Sequence, residues 1–477
     1  THPMIRRASY TIAATFLLSS TPAAAQVPGG DTVAVLAAAH GHVVRRGEAG
    51  SEVWPGFRPD TIPHLYVLPG RGSLLFGWRG ALPAGWTPAG SAAWMPEAQR
   101  GAASTGIQME GRGVAQVVVR GLDPLALAGV TAHESFHVQQ RAGAVPGRRF
   151  GAGENSMLTA RYPVFDVENE AMMALEGGLL LDALSQAGDG AVRERARDFL
   201  AVRAARRRGL SAEMAAFEDA AEMNEGLAEY ALHRATTGDA TPSALRTALR
   251  DLPGDGSQSI RLRFYGTGSA MAHLLDRVAG PAWKAHALAN DLTLSAALAH
   301  AVGSPVDADR RAAAAGERLG IAALRERAAR NAVALRTART ARADSVLAAP
   351  GVMLRVSAER LGARIDPCGF DPQNLLMVDG RRLLHTRWLR VCTGPDFQAE
   401  FNTPVVEDGG SFTAGAGMDA RITLGGRELR LADGQRIGGA ADVRVESATV
   451  TLAAARADVE RAGRMIIVHP LPKGPRE

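Results

Sequence analysis

A chain of 477 residues, 46 % of them apolar, is too long for one ordinary core and rich enough for conventional ones, so two or three domains are expected. Its formal charge of +5 is carried almost wholly by arginine, with Lys284 and Lys473 the only lysines, and the aromatics (5 %) do not interleave with the basic runs. No platform for stacking bases is visible, which argues against a nucleic-acid partner. Arg206, Arg207 and Arg208, and the arginines between 325 and 342, fall in Ala-rich helical stretches and read as solvated faces.

In chain order, residues 1–25 read as a secretory signal. Arg6 and Arg7 form a basic start, residues 10–18 a short apolar run, and Ala23-Ala24-Ala25 offer small residues before Gln26. The apolar run is too short for a membrane anchor and is followed by Ser19, Ser20 and Pro22. The surroundings of the arginine pair suit general secretion better than the twin-arginine route. An exported chain, periplasmic or extracellular and without a membrane span, is the expectation. Export also lets Cys368 and Cys392, the two cysteines of the chain, pair as a disulfide confined to the C-terminal region.

Residues 26–122 are rich in Gly, Pro and Trp, with β-like runs at 64–68, 73–78 and 114–120, and read as a small turn-rich sheet region. Asp123-Pro124 then signals a helix start, Asp as cap and Pro in the first turn, for a helix to about Gln140. Further helices are expected over 163–187, 189–208, 211–237, 265–279 and 292–302, making 123–306 a helical domain. A long Arg/Ala-rich helix or linker follows over 307–349. From 350 to 477 the pattern turns to period two, with Gly425-Gly426 at a hairpin and strands over 443–452 and 465–469, and reads as a separate β domain. The fold class expected is α+β.

The chemistry is concentrated in His133-Glu134-Ser135-Phe136-His137. Residues four apart share one helix face, so His133 and His137 can aim two imidazoles at one metal ion. Glu134 is turned far enough to hold a water rather than the metal, and a carboxylate there can take that water's proton as it attacks a carbonyl. A third protein ligand is needed. Glu218, Glu222, Glu225 and Glu229 form one stripe on a downstream helix, where like charges repel unless cations face them. Gly226, costly inside a helix, suits a close approach to another backbone. Asn169-Glu170 offers a rival ligand nearer in sequence.

Asn224-Glu225-Gly226-Leu227-Ala228 resembles the Asn-Glu-Gly-x-Ala stretch of the gluzincin metallopeptidases, distantly those of the aminopeptidase N family. The resemblance implies a zincin-like catalytic domain with one Zn2+ per chain held by His133, His137 and Glu225. Glu229 would then steady a ligand imidazole. The interval from His137 to Glu225 is much longer than in the aminopeptidases, so Glu170 stays open as the alternative. Phe264-Tyr265-Gly266-Thr267-Gly268 resembles the helix that carries the transition-state tyrosine of many gluzincins, which implies Tyr265 as an oxyanion donor; a core tyrosine is the other reading. The run 114–119 is the expected edge strand for an extended peptide, and residues 106–111 faintly resemble the stretch with which aminopeptidases hold a free N-terminus. His40, His42, His233 and His273 read as packing or surface residues. The function implied is peptide-bond hydrolysis on a peptide or protein substrate; the alternative is an exported gluzincin-shaped module that binds polypeptide or cell-wall components without cutting them.

Overall fold

The computed structural model describes residues 29–48, 53–96, 103–238, 241–254, 260–362, 364–371 and 374–472. The expected signal segment lies outside these. The chain is α+β: a small N-terminal sheet region, a helical body and a C-terminal sheet domain.

The N-terminal region begins with a helix where a turn-rich sheet was expected, α1 (Gly30–Glu48). Leu36, Ala39 and Val43 bury one face at helical spacing, but a near-continuous Ala/Val run blurs that period in the sequence. Among the described residues six strands follow: β1 (His64–Leu68), β2 (Gly72–Phe76), β3 (Thr87–Ala89), β4 (Ala92–Met95), β5 (Thr105–Met109) and β6 (Arg112–Val118). Their sheet order is β3-β4-β2-β1-β6-β5. The strand that precedes the His-Glu-x-x-His helix is therefore not an edge. It pairs in parallel with β1 and antiparallel with β5, and β5 is the edge on that side. Glu110 stands exposed in the β5–β6 turn with φ 48, alongside Gly111 at φ 74.

Helix α2 (Pro124–Ala142) starts where Asp123 accepts from the N–H of Leu125 and Ala126. The body continues with α3 (Val167–Ser185), α4 (Asp189–Arg207), α5 (Ala212–Ala221), a single π-helical turn (Glu222–Gly226) and α6 (Leu227–Thr237). Then come α7 (Ser243–Arg250), α8 (Arg261–Ala279), α9 (Trp283–Ala289), α10 (Leu294–Val302), α11 (Ala308–Leu319) and α12 (Ile321–Leu347). The long helix or linker expected over 307–349 is thus two helices, broken at Gly320, whose φ of 72 suits a residue without Cβ.

Arg325, Arg327, Arg330, Arg336 and Arg342 are exposed as expected of a solvated face, but other arginines of the two basic runs are not. Arg206 is buried and Arg207 largely so, whereas Arg208 is exposed. Arg206 grips both oxygens of Glu218 at 2.6 and 2.8 Å and also reaches Glu176, while Arg203 grips Glu222 at 2.7 and 2.8 Å. Glu218 and Glu222 of the acidic stripe therefore face guanidinium groups, and their buried charge is matched by paired, hydrogen-bonded partners. Arg339 is likewise buried and donates to the Met377 carbonyl, fastening α12 to the C-terminal domain.

Among the described residues, thirteen strands, β7 to β19, run from Val352 to Pro470 in one branched sheet. The expected strand over 443–452 is the end of one strand and the start of the next, reversed around residues 447–449. Cys368 on β8 (Asp366–Phe370) is bonded to Cys392 on β11 (Leu389–Thr393), with Cα atoms 5.9 Å apart. The bridge closes a loop with a sequence separation of 24, for which chain entropy gives about 3 kcal/mol. Replacing both cysteines with Ala should lower the urea midpoint of the C-terminal domain accordingly, leaving the helical body unchanged. An unaltered C-terminal transition would rule out a stabilising role.

Candidate metal centre

The face of α2 opposite the motif histidines is anchored first. Ser135 Oγ donates to the Thr131 carbonyl at 2.7 Å and lies 3.4 Å from His64 Nε2, while the Tyr66 hydroxyl meets Thr131 Oγ1 at 3.0 Å. His64 in turn meets His40 through their Nδ1 atoms at 2.9 Å. Complete burial pushes His64 down to about 3, and partial burial lowers His40 as well. Phe136, fully buried, packs into an aromatic cluster with Trp54, Phe57 and Phe150. With Ser135 and Phe136 so fixed, His133 and His137 project together from the remaining face.

Those two rings meet Glu225, which the π turn presents. His133 Nε2 and His137 Nε2 are 3.2 Å apart, and Glu225 Oε2 lies 3.3 and 3.4 Å from them. An ion bonded tetrahedrally at roughly 2.0–2.1 Å holds its ligand atoms about 3.3 Å apart, so this near-equilateral triangle matches a first-row metal such as zinc. The three residues can hold a metal ion. Glu170, the rival, is elsewhere occupied: Arg263 grips its two oxygens, each at 2.8 Å.

The second nitrogen of each ring has its own partner. His133 Nδ1 lies 3.4 Å from Glu229 Oε2, and His137 Nδ1 donates to Gln140 Oε1 at 2.8 Å. With an acceptor at each Nδ1, Nε2 is the nitrogen that a bound metal would take, displacing any proton there. Glu229 continues to His233 at 3.4 Å, and His233 to Ser269 at 2.9 Å, so His233 supports the site rather than merely packing. Glu225 Oε1, the oxygen turned from the triangle, accepts from Asn224 at 3.1 Å and from Arg261, both of which also hold Glu154.

Burial works against charge throughout, and the cluster overrides it where partners face. Burial would lower His133, yet Glu225, Glu229 and Glu134 raise it to about 10. Burial would raise Glu225 and Glu229, yet the histidines hold Glu225 well below the usual carboxylate range and Glu229 at about 2. Glu134 differs. Burial pushes it up, and its Oε2 is buried with no hydrogen-bond partner among the described residues. Tyr265 lies stacked on His133, centroids 5.5 Å apart, and burial together with the nearby Glu225 charge pushes its phenol well above the usual range.

Close helix packing brings Glu225 and Tyr265 together. A Cβ on Gly226 would lie 2.6 Å from Gly268 Cα, and one on Gly268 would lie 2.7 Å from the Glu222 carbonyl. Only two glycines let α8 cross the π turn this closely. Sequence reading missed Gln140, Glu154 and Arg261. Gln140, three residues beyond His137 and on the same face, carried a usable signal; so did Arg261, one turn before Tyr265. Glu154, in a Gly-rich loop, carried none. No protein-family model, no curated protein and no solved structure matches the chain.

Proposed function

We propose that this is an exported, zincin-like zinc peptidase that hydrolyses peptide bonds, with His133, His137 and Glu225 holding one Zn2+. The observation that carries the reading is the buried, unpartnered Oε2 of Glu134 beside a triangle of ligand atoms with tetrahedral spacing. A buried carboxylate oxygen left without a partner is costly, and a module that only bound a metal or a polypeptide would have no use for it. No helix among the described residues is long and apolar enough to cross a membrane, and the disulfide suits an oxidising compartment.

Zinc, when bound, supplies Lewis-acid polarisation and lowers the pKa of a coordinated water. The chain's own groups do the rest. Glu134 accepts the proton of the attacking water and returns it to the departing amine. The Tyr265 hydroxyl donates to the oxyanion that develops on the former carbonyl oxygen. Glu229 and Gln140 hold the two imidazoles in the tautomer that frees Nε2. On the side of the sheet that carries β6, the strand open to an extended substrate by β-addition is the edge β5 rather than β6.

Two outcomes test this. Chelation should abolish peptide cleavage and zinc should restore it; cleavage persisting in verified zinc-free protein would overturn the metal role. Tyr265→Phe should lower kcat about 10²–10³-fold with zinc content unchanged. A wild-type kcat in that variant would return Tyr265 to the core-packing reading.

A further inference from the structure

Gln140 is buried at the end of α2 and makes three contacts. Its Oε1 accepts from His137 Nδ1 at 2.8 Å, and its Nε2 donates to the carbonyls of Met223 at 3.0 Å and Asn224 at 2.9 Å. Both carbonyls belong to the π turn Glu222–Gly226, where the ordinary i→i−4 ladder of α5 and α6 is interrupted and carbonyls need other donors. The Asn224 carbonyl is part of the peptide plane that leads into Glu225. One amide therefore spans the gap between the ring of one triangle member and the backbone of another. Its orientation is fixed by chemistry, since turning it over would set its oxygen against two carbonyls and its NH2 against a ring N–H.

We infer that Gln140 is a positioning residue that couples His137 to Glu225. It holds the π turn open at the register that points Glu225 Oε2 at both histidines and fixes the His137 tautomer in the same stroke. The inference rests on the metal reading above. It differs from the carboxylate support of His133 in acting on two ligands at once. A carboxylate at 140 could still accept from His137 but could not donate to the π turn, and an apolar side chain could do neither.

That asymmetry gives the test. Zinc affinity is measured by chelator competition on wild type, Gln140→Glu and Gln140→Met, with circular dichroism confirming that each is folded. Gln140→Met should bind zinc about 10–100-fold more weakly. Gln140→Glu should fall between the two, because the contact to His137 survives. Were Gln140→Met to match wild type, or Gln140→Glu to bind as weakly as Gln140→Met, the coupling role would be wrong. Failure of folded wild type itself to bind zinc would instead overturn the metal reading, so the two failures are distinct. If either variant fails to fold, the ratio of affinities between the other variant and wild type still decides.

Discussion

Glu225→Ala protein should purify folded but essentially without zinc, whereas Glu170→Ala should retain a full complement. Removing Glu225 takes away the one anionic member of the triangle and leaves two neutral imidazoles, which hold a divalent ion poorly. Removing Glu170 touches no metal-facing atom. It strands Arg263, whose two-pronged contact at 2.8 Å fastens α8 to α3, so its cost should appear as lost stability rather than lost metal. Metal analysis of the two variants beside their melting midpoints separates the roles. Zinc retained by Glu225→Ala and lost by Glu170→Ala would transfer the ligand role.

Glu134→Gln should keep its zinc and lose hydrolysis by about 10²–10⁴-fold. The amide is nearly isosteric, so the packing around the motif survives, but it cannot accept a proton. The same substitution removes a carboxylate charge that burial disfavours, so stability should hold or rise. Peptide turnover and metal content measured on one sample distinguish this from simple loss of the site. A variant as active as wild type would remove Glu134 from the mechanism.

Much of this was readable from local patterns. Asp123-Pro124 marked the start of α2, and the strand at 64–68 was bounded by turn residues on both sides, because caps and turns act over a few residues. The four-residue spacing in the motif and the Gly226 signal likewise express local geometry. What escaped was non-local. The sheet order that makes β5 the edge depends on a parallel β1–β6 pairing that no strand announces by itself. The burial of Arg203, Arg206 and Arg339 depends on carboxylates and carbonyls brought in by other helices. The π turn is invisible because its residues are ordinary helix formers apart from Gly226. What holds it is Gln140, on another helix.

The central claim is tested most directly by exposing a diverse peptide library to the zinc-loaded wild-type protein and reading the products by mass spectrometry, with zinc stoichiometry measured on the same sample. The account predicts one zinc per chain and new peptide termini produced by hydrolysis, absent from a parallel reaction with Glu134→Gln. Folded protein carrying its full zinc that leaves every peptide intact would contradict it, and would favour a metal-bearing binding module.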